Sequence, residues 1–227
     1  MLKQKYIFVI IVVLIVLSVP GIIFGYPHLK TYLEDREFLA NPAIYDQFIA
    51  ARDKEREIKT NPDRLETYIT AMMRYKSIAD VTKDKRLYER ALKIADLATA
   101  RFGTKSYLPA LNASTIYMSL GDYEHAEKNI KQAIEMAPGD AQLYLRLIEL
   151  YKDFMKKDET TIIATYETGI QRLVNVLPLY NSYAAYLREI NRLDEALDKY
   201  QILHKAMPDN PIYAQLIKEL EVAIKNR

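Results

Sequence analysis

Apolar residues follow two different patterns along this chain of 227 residues. Residues 6–26 form a strongly apolar run without a charged side chain. In the later part of the chain, large apolar residues recur seven positions apart, as at Tyr144 and Tyr151 or at Tyr180 and Leu187. That spacing places both members of a pair on one helix face, two turns apart. With only six glycines and nine prolines, the pattern predicts an all-α protein.

The N-terminal apolar run has the length of a membrane span. As a helix, residues 6–26 would extend about 30 Å, the hydrocarbon thickness of a bilayer. Tyr6 and Tyr26 stand at its ends, where aromatic rings prefer the membrane interface. We therefore predict that residues 1–27 are a single transmembrane signal anchor that meets the lipid bilayer through residues 6–26. A cleaved signal peptide and an ordinary buried helix are the alternatives, but the run is long and no A-x-A-like site follows it.

Charges on the two sides of the run predict its orientation. Lys3 and Lys5 precede it, whereas Lys30 and Arg36 follow it among three acidic residues. The positive-inside rule then favours a cytoplasmic N-terminus and an exported C-terminal part, in a single-pass membrane protein.

Two glycines near the end of the run suggest a contact between spans. Gly21 and Gly25 form a small-xxx-small pair, which lets two membrane helices approach closely and would support a homo-oligomer. Beside Pro20, the same pair is equally consistent with a kinked helix end.

Residues 28–60 are predicted to be a helical linker of one or two helices leading away from the membrane. Three Asn-Pro pairs, at Asn41, Asn61 and Asn210, combine a capping side chain with a first-turn proline and mark helix starts. The mixed charges of residues 52–59 and the acidic pair Glu34 and Asp35 are interpreted as solvated surface.

One template recurs in three later helices: a first anchor, a large residue four positions on, another apolar residue after three more, and a closing proline. Its copies are Ala126, Ile130, Ala133 and Pro138; Tyr166, Ile170, Leu173 and Pro178; and Ala196, Tyr200, Leu203 and Pro208. Alanines on successive turns let a neighbouring helix approach closely. Each such helix follows another amphipathic helix, so the chain is predicted to stack helix pairs.

This arrangement resembles the tetratricopeptide repeat, a 34-residue helix-turn-helix unit. Residues 107–140 match the pattern well, with the turn at Gly121, and residues 177–210 match it nearly as well. Residues 62–103 and 141–178 depart from it by insertions, the second around residues 153–161. The resemblance implies a right-handed α-solenoid of about four repeats over residues 61–210, closed by a capping helix at residues 211–227.

The resemblance also implies a concave groove lined by the first helix of each repeat, where such proteins bind peptides or partner helices. The matching positions are Ile69, Met73, Leu111, Thr115, Met118, Leu145, Glu149, Asn181, Ala185 and Arg188. Several of them would alternatively pack against neighbouring repeats. Family members that capture chaperone tails use Lys and Asn, whereas Leu111 and Leu145 stand here. A mostly apolar groove with an isolated Glu149 and Arg188 favours an amphipathic helix or an extended apolar segment.

No catalytic, metal-binding or cofactor-binding pattern accompanies the repeats. The chain has no cysteine, and His28, His125 and His204 are far apart without further ligands at metal spacing. Beyond Lys3 and Lys5, basic and acidic residues are equal in number, which argues against nucleic-acid binding. We expect a non-enzymatic, membrane-tethered adaptor for a protein partner near the membrane, such as an assembly or secretion accessory factor. The alternative is a self-associating scaffold subunit of a membrane complex.

Overall fold

The computed structural model describes residues 32–227. The predicted span at residues 6–26 and the glycine pair Gly21 and Gly25 therefore lie outside the described residues. Within residues 32–227, no helix combines the length and apolar character needed to cross a bilayer.

Helices make up all the regular secondary structure of the described residues. They are α1 (residues 32–39), α2 (Tyr45–Thr60), α3 (Leu65–Thr82), α4 (Lys85–Phe102), α5 (Leu108–Leu120), α6 (Tyr123–Met136), α7 (Ala141–Glu149), α8 (Glu159–Arg172), α9 (Leu177–Glu189), α10 (Leu193–Ala206) and α11 (Pro211–Lys225). Helices that are consecutive from α2 onward pack on one another, and α3 also contacts α5 while α7 contacts α9. The all-α solenoid of helix pairs is confirmed.

Small residues let the paired helices approach. Ala126, Ala133 and Ala196 are completely buried, so no side chain keeps the next helix at a distance. Gly121 ends α5 in the left-handed conformation, with φ of 75°, which only glycine adopts at little cost. Asp122 then accepts a hydrogen bond from the backbone N–H of His125 and caps α6. The turn of residues 107–140 thus reverses the chain within two residues.

Helix starts differ in part from the Asn-Pro signal. Asn210 caps α11, which begins at Pro211. After Asn41 and Asn61, however, α2 and α3 begin only at Tyr45 and Leu65, three residues beyond the prolines.

The insertion after α7 forms both a helix extension and a loop. The chain continues from α7 into one π-helical turn, Leu150–Phe154. Lys156 then takes a positive φ of 51°, and Asp158 caps α8 by accepting from the Thr161 N–H. This segment sets the position of α8 relative to its neighbours.

Helices α1 and α2 pack on the first helix pair, where the sequence suggested solvated charges. Phe38 and Phe48 are buried with their ring centroids 5.0 Å apart. Asp35 is buried as well, and it pairs with Arg52 at 3.1 Å and with Arg90 at 2.5 Å. The interpretation of Asp35 and Arg52 as solvated surface is therefore wrong. A pairing across 55 residues cannot be read from local charge patterns.

Candidate functional site

The predicted groove residues lie on the first helix of each pair. Ile69 and Met73 are on α3; Leu111, Thr115 and Met118 on α5; Leu145 and Glu149 on α7; and Asn181, Ala185 and Arg188 on α9. Those on α3, α5 and α7 are half-buried, whereas the three on α9 are exposed.

Three of them line one small cavity between α5 and α7. Leu111, Leu145 and Glu149 surround about 170 Å³ together with Gln142 and Arg146. Arg146 Nη1 donates to Glu149 Oε2 at 2.9 Å. Glu149 is therefore not an isolated charge, because its carboxylate is already neutralised by a neighbour on the same helix.

Two more line a second cavity beside the first. Thr115 and Met118 surround about 260 Å³ with Lys76, Ser119, Arg146 and Phe154. Arg146 belongs to both cavities, so the two form one strip across α3, α5 and α7. We call this strip the α5–α7 strip.

The two predicted positions on α3, Ile69 and Met73, fill space between helices. Thr115 Oγ1 lies 3.9 Å from the Met73 sulfur. Both Ile69 and Met73 pack against the N-terminal core, a cluster of buried apolar residues between Phe38 and Ile116. For Met73 the structure favours the alternative of packing against the neighbouring repeat.

The α9 positions stand apart from the strip. Asn181, Ala185 and Arg188 line neither of the two cavities. Arg188 is within 4.0 Å of Glu219 on α11, so its expected isolation is also wrong. The ten predicted positions thus divide into five on the strip, two on α3 that pack between helices, and three exposed ones on α9.

The strip residues that sequence reasoning missed are Lys76, Ser119, Gln142, Arg146 and Phe154. Lys76 is three positions after Met73, and Arg146 is three before Glu149, so helical spacing alone would have included both. Phe154 reaches the strip only through the π turn, which no sequence pattern announces.

The electrostatics of the strip keep its cations partnered. Lys76 Nζ lies 2.6 Å from Asp80 Oδ2, and the Tyr88 hydroxyl donates to Asp80 Oδ1 at 2.8 Å. Burial alone would raise the pKa of Asp80, but these hydrogen bonds outweigh it and hold the pKa below its ordinary value. The strip therefore combines apolar side chains with charged side chains that already have partners.

Among residues 32–227, no group of three or more His, Cys, Asp or Glu side chains could hold a metal ion. His125 Nδ1 lies 2.8 Å from Asp122 Oδ2, and its ring stacks on Tyr117 with centroids 5.1 Å apart. This histidine supports the turn between α5 and α6.

Comparisons with known proteins agree with this geometry. Two crystal structures of MamA are similar to the chain: one has a TM-score of 0.52 and 17% identity over 81% of this chain and 94% of that one, and the other 0.50 and 18% over 78% and 90%. TTC0263, described as a thermophilic TPR protein in Thermus thermophilus, has a TM-score of 0.50 and 19% identity over 82% of this chain and 96% of its own. At such identities the likeness concerns the fold alone.

Among curated proteins, no sequence matches the chain. The profile of the family described as "Tetratricopeptide repeat" matches residues 59–215, more than half of the chain. The chain belongs to the tetratricopeptide repeat family.

Proposed function

We propose that this protein is a non-catalytic adaptor that binds a peptide or helix of a partner protein on the α5–α7 strip. Repeats of this family typically serve protein–protein interaction, and the strip lies on their first helices. The observation that carries the proposal is that Arg146 lines both cavities and so joins them into one surface. A continuous surface across three repeats fits an elongated ligand better than a small molecule.

The chemistry of the strip favours a ligand with apolar side chains. Leu111, Met118 and Leu145 pack against the C-terminal core, a cluster of buried apolar residues between Ala126 and Leu220. All three are only half-buried, so each leaves part of its surface for a ligand. Burying an apolar side chain completely is worth about 1.5–3 kcal/mol. Because Arg146 and Lys76 already have acidic partners, charges on the ligand would set orientation more than affinity.

We further propose that residues 6–26 tether this adaptor to a membrane, with the repeats exported. The apolar length of the run and the lysines before it support this proposal. Tethering would raise the effective concentration of the strip near membrane-bound partners without new contacts.

Protease added to intact cells should digest the repeats, and alkaline extraction should leave the chain in the membrane. A cytosolic, extractable chain would contradict the tether, and it would not bear on binding to the strip.

Binding to the strip is tested by changing its apolar residues. Leu111→Asp and Leu145→Asp should each lower the recovery of specific partners from detergent extracts by about tenfold. Arg146→Ala is a milder second variant for the same surface. Leu97→Asp is the matched control, because Leu97 is an exposed leucine on α4, away from the strip.

Circular dichroism must show that each variant remains folded. Recovery of the same partners by the Leu111 and Leu145 variants would contradict the proposal. Crosslinking in membranes tests the scaffold alternative, in which the chain self-associates through Gly21 and Gly25 or through its repeats. A strictly monomeric pattern would remove this alternative, and Gly21→Leu with Gly25→Leu should abolish only association through the glycine pair.

A further inference from the structure

A second cleft lies on the second helices of the repeats, away from the α5–α7 strip. It has a volume of about 520 Å³ and lies between α6 and α8, with α7 and the π turn as its floor. Tyr144, Leu147 and Tyr151 form the floor. We call it the α6–α8 cleft. Its volume is within the range of roughly 300–1,000 Å³ that ligand sites occupy.

The cleft borders the irregular segment before α8, which contributes Tyr151 to its lining. The π turn, the positive φ of Lys156 and the insertion all precede α8, and π turns often accompany functional sites. At the other end of α8, a Cβ on Gly169 would come within 2.6 Å of Leu179 Cδ1 and 3.0 Å of the Tyr144 ring. This close contact at Gly169 fixes α8 against α7 and α9, so the helix packing sets the position of α8 at the cleft.

Most hydroxyl groups around the cleft form hydrogen bonds within the protein. Their bonds run from Thr165 to the Thr161 carbonyl, from Thr168 to the Ala164 carbonyl, from Tyr144 to the Pro138 carbonyl and from Tyr151 to Glu127. Thr165 and Thr168 use their hydroxyls on their own helix, and the two tyrosines use theirs on other protein groups. The surface that remains for a ligand is mainly methyl groups and aromatic rings, and this favours apolar side chains.

Three charged side chains line the cleft, and one of them, Lys131, is paired with Glu127. Neither Glu135 on α6 nor Arg172 in the last turn of α8 makes an ion pair within the part of the chain from residue 32 onward. An opposite charge on a ligand could meet each of them, so the pair would select orientation.

We propose that the α6–α8 cleft binds an amphipathic helix of a partner protein. Its apolar stripe would lie on the floor, with a basic residue facing Glu135 and an acidic residue facing Arg172. A helix satisfies its own backbone hydrogen bonds, as an apolar cleft without a strand edge requires. The lining positions of α8 from Thr161 to Arg172 extend about 17 Å, the length of three turns of a ligand helix.

In the experiment, the full chain in lipid nanodiscs is used to select from a random peptide library displayed on phage. Each peptide has about 16 residues, enough to cover three helical turns. Two exposed alanines give a matched pair of variants. Ala164→Arg fills the cleft, whereas Ala185→Arg alters the predicted groove on α9. Selected peptides should have apolar residues at helical spacing flanked by both charges. Ala164→Arg should weaken their binding at least about tenfold, and Ala185→Arg should leave it unchanged.

A charge exchange tests the orientation independently. The double variant Glu135→Lys with Arg172→Glu should lose affinity for a selected peptide and regain it when the two charges of the peptide are exchanged. The proposal is overturned if selection yields no helical pattern, or if Ala164→Arg leaves binding intact. It is also overturned if oleate or phosphatidylglycerol vesicles, but no peptides, bind in a way that Ala164→Arg abolishes. Failure of the α5–α7 strip would leave these results unchanged, so the two proposals fail separately.

Discussion

The two ends of the solenoid are built from similar helix pairs but are held together differently. In the N-terminal part, Arg90 joins Asp35 and Glu55, while the Tyr75 hydroxyl donates to Glu55 at 2.7 Å. In the C-terminal part, Tyr166 stacks on Tyr183 with ring centroids 4.6 Å apart and planes 11° from parallel. A partly buried charge network needs every member present, because a lone charge left inside is costly. Stacked rings depend on contact area and tolerate the loss of one polar atom.

Arg90→Met should break this comparison most strongly. The change would leave Asp35 with Arg52 alone and Glu55 without its cation, so we expect a loss of about 3 kcal/mol, the low end for breaking a buried pair. Hydrogen exchange should show the loss in residues 32–102 and little change beyond residue 141. Arg192→Met, which removes an exposed pair with Glu195, is the control and should cost at most about 1 kcal/mol. A uniform loss of protection along the chain would show that the two ends do not differ in this way.

Removing one hydroxyl from each end gives a sharper comparison. Tyr75→Phe loses a hydrogen bond to a carboxylate and should cost about 1.5–3 kcal/mol, whereas Tyr166→Phe loses a neutral one and should cost about 0.5–1.5 kcal/mol. The Tyr166 hydroxyl pairs with the Ser182 hydroxyl at 2.8 Å, and its stacked ring would stay in place. Urea unfolding of both variants measures the difference. Equal losses would contradict the distinction between charged and neutral networks.

The smallest expected effect is a pH dependence at the contact of α1 with α4. Arg86 donates to both oxygens of Glu37 and also holds Asp84, and its hydrogen bonds lower the pKa of each carboxyl group. A lowered folded pKa gives stability that is present above the unfolded pKa and is lost as the pH falls through the folded one. Lowering the pH from about 7 to about 3 should therefore loosen α1.

Arg86→Gln should flatten this acid dependence, as followed by thermal unfolding across that pH range. Lys85→Gln is the matched control, because Lys85 is an exposed neighbouring cation. If both variants keep the acid slope of the unchanged protein, the Arg86 contacts do not cause it.

Sequence patterns predicted the helix pairs because their determinants are local. Alanine spacing, the glycine turn at Gly121 and the closing prolines act within one repeat. The α5–α7 strip was predicted in part, since Leu111 and Leu145 follow the helical period of the family. Arg146 was missed because it was set aside as a charged residue, although helical spacing places it on the groove face of α7. Phe154 was missed because the π turn changes the direction of every side chain after it. The pairing of Asp35 with Arg90 was not predicted, because the two residues are distant in sequence. The sequence shows that each is charged but not which residue lies opposite it.

The docking of α1 would limit how far membrane-tethered repeats could move from the bilayer. If residues 6–26 span a bilayer as proposed, only five residues separate Tyr26 from Tyr32, where the described part of the chain begins. Even fully extended, they reach only about 20 Å. With α1 fixed to the first repeat by Phe38 and Asp35, the solenoid would stand close to the lipid headgroups. The repeats would then bind partners that lie in a thin layer next to the bilayer, rather than in the larger volume that a long flexible linker would reach.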